Sequence, residues 1–408
     1  MRTAASIAAA VLLGGCAHYE VIGYYAGWKD PIPVAAREIT VLNYAFVDIC
    51  WDGQHGHPVE GGLKPCPGAN GALALDDPVK EASTFARLVS LKRDNPRLRL
   101  MVSVGGWTRS NRFSDMANDA ATRAAFVDSS VAFLRRYAFD GIDIDWEYPN
   151  EIGVPCPATH TCQRPEDKRN FITLGAELRD ALDAAGRADG KRYLVTIAAG
   201  ADEKFLRDPD GGRWLAKLAR SLDWINLMTY DYHGSWERIT GLNAPLQRDP
   251  RDLVNASAEA SVARVLASGI PASKVTLGMP FYGKGWAGCA PGPAGDGLFQ
   301  PCEGLASGSS QESFDFAYLT ARGYLVRDSD SRYTSAGLGF ARHWNAPARS
   351  PYLYNPATRV FITYDDEISI REKSRFVKER GLRGAMFWEL DADREGILRR
   401  VIAEELAK

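Results

Sequence analysis

Eight short β-rich runs recur along the chain, each bounded by turn-forming residues: VIGYYA (21–26), TVLNYAFVDI (40–49), LRLMVSVGG (98–106), DGIDIDWE (140–147), YLVTIAAG (193–200), WINLMTYD (224–231), KVTLGMPFYG (274–283) and GAMFWEL (384–390). Several are separated by stretches with helical periodicity. In 120–137, Phe126, Val127, Val131, Phe133 and Leu134 fall on one stripe, and 168–182 and 255–267 repeat the pattern. Strands that alternate with helices pair in parallel, and eight such units close into a (β/α)8 barrel rather than an open sheet.

One gap breaks the rhythm. About 100 residues separate Gly283 from Gly384, where one βα unit needs only about 30. The part from 284 to 363 is rich in Gly, Ser and aromatics, and helix character returns at 365–380. The expected organisation is an α/β chain: a barrel over 17–283 and 364–408, with a small α+β insertion domain over 284–363, between strand seven and helix seven.

The fourth run carries unusual charge. In FDGIDIDWEYP (139–149), Asp143, Asp145 and Glu147 fall on one strand face while Ile142, Ile144 and Trp146 fall on the other. At roughly 7 Å between successive same-face residues, the carboxylates repel and at least one pKa should rise. A solvated edge strand is the alternative reading, and the apolar opposite face argues against it. Asp140 points the other way and reads as structural.

In such a barrel the active site forms where the C-terminal strand ends meet. Glu147 is expected to end strand four, Tyr230 and Asp231 strand six, and Tyr282 strand seven, with Trp388 near the end of strand eight. These positions should converge on one rim.

Composition narrows the partners. The chain has 408 residues, 45% hydrophobic, with a formal net charge of −2. No long basic run is present, which argues against nucleic acid or an anionic membrane surface as the partner. Ten Trp and 16 Tyr fit an aromatic-lined site. No cofactor is expected, and the chain reads as a monomer.

The first 16 residues, MRTAASIAAAVLLGGC, combine one positive charge with an apolar run too short to span a bilayer. They read as an export signal. LGGC (13–16) resembles a bacterial lipobox that would make Cys16 the lipidated first residue of the mature chain; cleavage after Ala17 by an ordinary signal peptidase is the other reading. The expected address is the outer membrane, on its periplasmic or outer side, or the medium. Membrane contact would come only through Cys16. Removing Cys16 leaves six cysteines, an even set that suits disulfides in an oxidising compartment. They fall as three sequence-local couples, Cys50–Cys66, Cys156–Cys162 and Cys289–Cys302. A metal site is a rival for the first couple, because His55 and His57 lie between its members.

DGIDIDWE, with SVGG at 103–106, MTYD at 228–231 and FWEL at 387–390, resembles glycoside hydrolase family 18, the chitinases and their relatives, along the whole mature chain. HWNAPARSPYLY (343–354) and FITYDDEIS (361–369) resemble the α+β insertion of bacterial chitinases with deep clefts. Lys284 departs from the family's usual Arg; it keeps the charge but loses the two-pronged geometry.

The resemblance implies a TIM barrel and a retaining, substrate-assisted hydrolysis of β-1,4 bonds between N-acetylglucosamine units of chitin or chitooligosaccharides. Glu147 would protonate the leaving oxygen and later activate water. Asp145 would accept a hydrogen bond from the acetamido N–H, with Asp143 behind it sharing a proton. Tyr230 would hold the acetamido carbonyl, and Asp231 would contact the sugar or help keep Glu147 protonated. Trp388 would floor the cleavage subsite, and Trp107 and Trp236 would be platforms for sugars beyond the cut. Tyr24 and Ser103 would lie beneath the aspartates, while Met228, Tyr282 and Tyr148 would line the sugar site. The alternatives are an endo-β-N-acetylglucosaminidase acting on N-glycans and a non-catalytic chitin lectin. The presence of Glu147 argues against the lectin.

Overall fold

The computed structural model describes residues 19–58, 61–151, 153–207, 213–308 and 313–408. The export signal and Cys16 lie outside the described residues. Eight parallel strands form a closed barrel: β1 (Glu20–Ala26), β2 (Val41–Ile49), β3 (Arg99–Gly105), β4 (Gly141–Asp145), β5 (Leu194–Gly200), β6 (Trp224–Met228), β7 (Val275–Pro280) and β8 (Gly384–Trp388). Each pairs with its neighbours in sequence order, and β1 closes the ring by pairing with both β2 and β8. All eight expected strands are present.

The strand tips differ from the expectation. β4 stops at Asp145, β6 at Met228 and β7 at Pro280. Glu147, Tyr230 and Asp231 therefore sit just past their strands, and Tyr282 opens a strand of a different sheet. The physical reason is that ladder hydrogen bonds end where the chain turns over the barrel mouth, while the β-rich composition continues into the turn.

Helices pack outside the barrel. They include α1 (Pro78–Ser90), α2 (Ala120–Tyr137), α3 (Asp167–Asp189), α4 (Ala258–Ala267) and α5 (Glu367–Glu379). The sequence supplies their starts: Asp77 accepts from the N–H groups of Val79 and Lys80 ahead of Pro78 at the first turn, and Asp366 and Ser369 form a reciprocal capping box. α2 ends at Ala138 in the left-handed region, φ 57°. The apolar faces of these helices and the outward faces of the strands make the largest core. A second cluster fills the barrel interior and includes Ile22, Val41, Met101, Trp224 and Met386.

Between β7 and β8 the chain builds a six-stranded antiparallel sheet from Tyr282–Ala287, Gly304–Leu305, Ser313–Asp315, Ala341–Asn345, Ser350–Asn355 and Val360–Thr363. Trp286, Leu298, Tyr354 and Phe361 form its own small core. The three sequence-local cysteine couples are disulfides: Cys50–Cys66, Cys156–Cys162 and Cys289–Cys302. The bond between Cys50 and Cys66 removes the thiolates that a metal site there would need. His55 instead faces Asp48, and His57 Nε2 lies 3.1 Å from the Pro155 carbonyl.

Candidate active site

Strand register explains the floor of the barrel mouth. Ser103 of β3 and Thr196 of β5 are the direct neighbours of Asp143 on β4. Both therefore reach its carboxyl from either side, Ser103 Oγ donating to Oδ2 at 2.8 Å and Thr196 Oγ1 to Oδ1 at 2.5 Å. Tyr24 donates its hydroxyl to Oδ2 at 2.7 Å, and Asn226 donates Nδ2 to Oδ1 at 3.1 Å. Two donors on each oxygen fill the roughly four acceptor positions a carboxylate offers. The Asn226 amide is oriented in turn, because the indole N–H of Trp224, which can only donate, meets Oδ1 at 3.0 Å. Thr276 meets the same oxygen at 3.0 Å.

Asp145 lies one strand step above Asp143, buried, with Oδ1 lacking any hydrogen-bond partner among the described residues. Burial pushes its pKa well up, and the negative charges of Glu147 and Asp143 push it further. Burial also raises Asp143, although its four donors pull the other way. Glu147 is pushed up to about 7, first by burial and then by the charge of Asp231; hydrogen bonds with Tyr148 and Asp145 moderate the rise. The Glu147 backbone N–H is fixed by the Ser110 hydroxyl at 2.8 Å, which also donates to the Asp145 carbonyl. Asp140 is at the far end of the strand, paired with Lys92 at 2.6 Å, in keeping with a structural part.

Above this floor opens a cleft of about 950 Å³. Asp145, Glu147, Tyr148, Tyr230 and Asp231 line its centre, and Tyr24 and Met228 its base. Asp143 and Ser103 sit beneath the lining rather than in it. The Tyr282 hydroxyl donates to Asp231 Oδ2 at 2.8 Å, and Lys284 Nζ approaches Asp231 Oδ1 at 3.4 Å. The unusual Lys284 is thus placed on an acidic partner at the cleft wall.

Aromatic rings line the cleft as well. Trp388 packs against Phe46 in a stacked arrangement at 5.5 Å and against Tyr24 at the same separation. Trp28 stacks on Phe46 at 5.9 Å. Trp107 and Trp236 also line the cleft and leave 49% and 60% of their surfaces exposed. Large apolar rings this exposed are free to receive the faces of flat, amphipathic ligands.

Sequence reasoning missed Thr196, Asn226, Ser110, Phe46 and Trp28. Phe46 sits where the register between β2 and β3 slips by one residue, between Tyr44 and Val47, so strict alternation misassigns its face. Thr196 and Asn226 lie in strand runs where the period-2 pattern places them inward, which was the available signal; Thr196 proves to be the register neighbour of Asp143, and Asn226 reaches it from β6.

Comparison with known proteins gives a consistent result. The family model "Glycosyl hydrolases family 18" matches residues 20–393. The chain is similar to Chitinase A1 of Niallia circulans, 41% identical over 429 residues, covering 95% of this chain and 58% of that protein. Among solved structures, chitinase ChiA74 from Bacillus thuringiensis superposes with a TM-score of 0.85 at 36% identity, covering 95% of this chain and 70% of that one. A family 18 N-acetylglucosaminidase from Paenibacillus barengoltzii superposes with a TM-score of 0.77 at 33% identity, over 95% and 99% of the two chains. The match along nearly the whole described chain, together with the acidic floor beneath an aromatic cleft, places this protein in glycosyl hydrolases family 18.

Proposed function

We propose that this protein is a chitinase that hydrolyses β-1,4 bonds between N-acetylglucosamine units, with Glu147 as the acid and base. The observation that carries the reading is Glu147 itself: a carboxyl held up at about 7 at the centre of an aromatic-lined cleft, directly above two buried aspartates. A group with that pKa delivers a proton near neutrality and takes one back in the next step.

The substrate supplies the nucleophile. Asp145 is the carboxyl closest to the acid in the motif, and its pKa is pushed well up; a protonated carboxyl is a poor nucleophile. It suits a different task, a hydrogen bond to the sugar's 2-acetamido group as that group attacks the anomeric carbon and becomes an oxazolinium ion. Tyr230 holds the acetamido carbonyl, Trp388 floors the cleaved sugar, and Trp107 and Trp236 take sugars beyond the cut. The segment 284–363 acts as an inserted unit that walls the cleft. Chitin and its oligomers are the partners, and the protein works as a monomer after export, with a lipid on Cys16 as its anchor.

Proton NMR of the earliest products tests the mechanism. Two successive inversions leave the new reducing end in the β configuration, and fully deacetylated chitosan and cellulose remain uncut. An initial excess of the α anomer means direct attack by water and overturns the mechanism. The anchor has its own test: Cys16→Ser moves the protein from the membrane to the soluble fraction in a bacterium that processes lipoproteins.

A further inference from the structure

A buried histidine behind one wall of the cleft has no part in the chemistry above. His233 lies in the segment after β6, with Nδ1 2.6 Å from Glu237 Oε2 and Nε2 3.0 Å from Asp252 Oδ2. Both ring nitrogens face carboxylate oxygens, so each is best satisfied when it carries a proton. The ring is enclosed: an added Cβ at Gly241 would fall 2.1 Å from it. Glu237 comes from the same turn as His233, and Asp252 from the following loop. The nearby guanidinium of Arg248 donates one N–H to the Asp252 carbonyl at 3.2 Å.

Trp236 is built into this arrangement. Glu237 N–H donates to the Gly234 carbonyl at 3.1 Å, closing a turn with Ser235 and Trp236 at its corner. The indole of Trp236 lies over Gly234, where a Cβ would come within 2.5 Å of the ring. The His233–Glu237 pair spans the same turn from outside, and the Glu237 carbonyl accepts from Trp286 Nε1 at 3.1 Å. An exposed tryptophan with little packing of its own is thus held by its turn, and the turn is tied through Glu237 both to the Trp286 indole N–H and to the charged ring of His233.

We propose that His233, as an imidazolium clamped between Glu237 and Asp252, is a positioning residue that fixes the Trp236 platform and so sets how firmly the cleft grips sugars beyond the cleaved bond. The inference rests on the chitinase reading of the cleft. Its pH sense follows from the direction of the His233 pKa, which hydrogen bonds and charge from Asp252 and then Glu237 raise although burial opposes them. The cation is present below the ordinary histidine range and is lost only as pH climbs through the raised folded value, so the grip weakens on the alkaline side.

The test uses the full chain and two substrates: a chromogenic disaccharide glycoside that ends at the cut, and a long chitooligosaccharide. His233→Gln should raise KM for the long substrate by about threefold to tenfold, the worth of one aromatic platform, and leave turnover of the short one unchanged. Trp236→Ala should raise KM for the long substrate to a similar degree, and on that substrate the double variant should be no worse than Trp236→Ala alone. In the wild type the preference for the long substrate should fall with rising pH, and in Trp236→Ala that dependence should vanish. NMR titration of the wild-type His233 ring, which needs no variant, should show an imidazolium at neutral pH.

A neutral ring at that pH overturns the proposal. So do multiplicative losses in the double variant, or equal losses on both substrates. Wild-type protein that cuts neither substrate overturns the chitinase reading instead. The ring titration and the binding of uncleaved oligomer then still decide the role of His233.

Discussion

The cleft is built by two regions that work differently. Its floor is made of barrel strands, where Ser103, Asp143 and Thr196 sit side by side because the hydrogen-bonded register leaves them no other place. Its walls are loops and an added sheet, and their positions are set by local ties: the hairpin Gln54–His57/Gly62–Pro65 braced by Cys50–Cys66, the turn that carries Trp236, and the antiparallel sheet entered at Tyr282. The floor is over-determined and buried, and burial pushes the pKa of each of its carboxyls upward. The walls are exposed and present rings. The division separates chemistry from grip: changes in the floor should cost turnover on every substrate, and changes in the walls should cost affinity for long ones.

The sharpest blow to the floor is Glu147→Gln. It keeps the shape and removes the proton that must move, so turnover should fall on the order of a thousandfold or more while oligomer binding, measured by calorimetry, persists. The wild-type pH profile sharpens the same point. A general acid works only while protonated, so kcat/KM should decline as pH rises past a value near 7, where the raised Glu147 of the free enzyme ionises. A variant that retains a tenth of wild-type turnover removes Glu147 from the centre of the chemistry.

Thr196→Val is a quieter test of the floor. The variant keeps volume and deletes one of the four donors that favour the charged form of Asp143 against the burial that raises its pKa. Losing a hydrogen bond to a buried charged group costs about 1.5–3 kcal/mol, or roughly tenfold or more in rate if the ionised form is the one that works. Removing a donor to the charged form raises the Asp143 pKa further, so the acidic limb of the rate profile should move to higher pH. An unshifted limb with lost activity would mean that Thr196 only packs.

The same division explains what could be seen in the chain alone. All eight strands were legible because β-rich runs separated by helices admit few other folds, and Asp143, Asp145 and Glu147 stood out because alternating carboxyls in so apolar a run have few uses, although Glu147 lies past the strand's last residue. The donors around Asp143 were harder. Thr196 and Asn226 are ordinary inward-facing strand residues until the register of β5 on β4 and of β6 on β5 is known. Phe46 was hidden by a register slip, and Trp28 by its place in a loop with no periodic signal. The strand tips were overrun because Trp, Tyr and Glu continue a β-rich composition past the last ladder bond. Cys50–Cys66 was legible from spacing, whereas the ties that seat its hairpin against β2 and against the loop around Pro155 are tertiary.

That hairpin gives the smallest effect and the most direct test of the walls. Cys50→Ser with Cys66→Ser opens the 16-residue loop the bridge closes, which should lower stability by at most about 3 kcal/mol, seen as a reduced melting temperature. The hairpin keeps other holds. Asp48 Oδ2 accepts from the Gly56 N–H at 2.7 Å, Asn111 Nδ2 donates to the Gly56 carbonyl at 3.1 Å, and His57 contacts the Pro155 carbonyl. With these intact the hairpin loosens rather than leaves. Gly56, His57 and Lys64 line the cleft, so KM for a long oligomer should rise about twofold to threefold, the scale of one weakened polar contact. Turnover of a substrate that ends at the cut should not change, because among the described residues the donors to Asp143 and the groups that set the Glu147 pKa come from outside this hairpin. Equal losses of turnover on both substrates would show that the wall reaches into the chemistry, and the separation of floor from wall would fail.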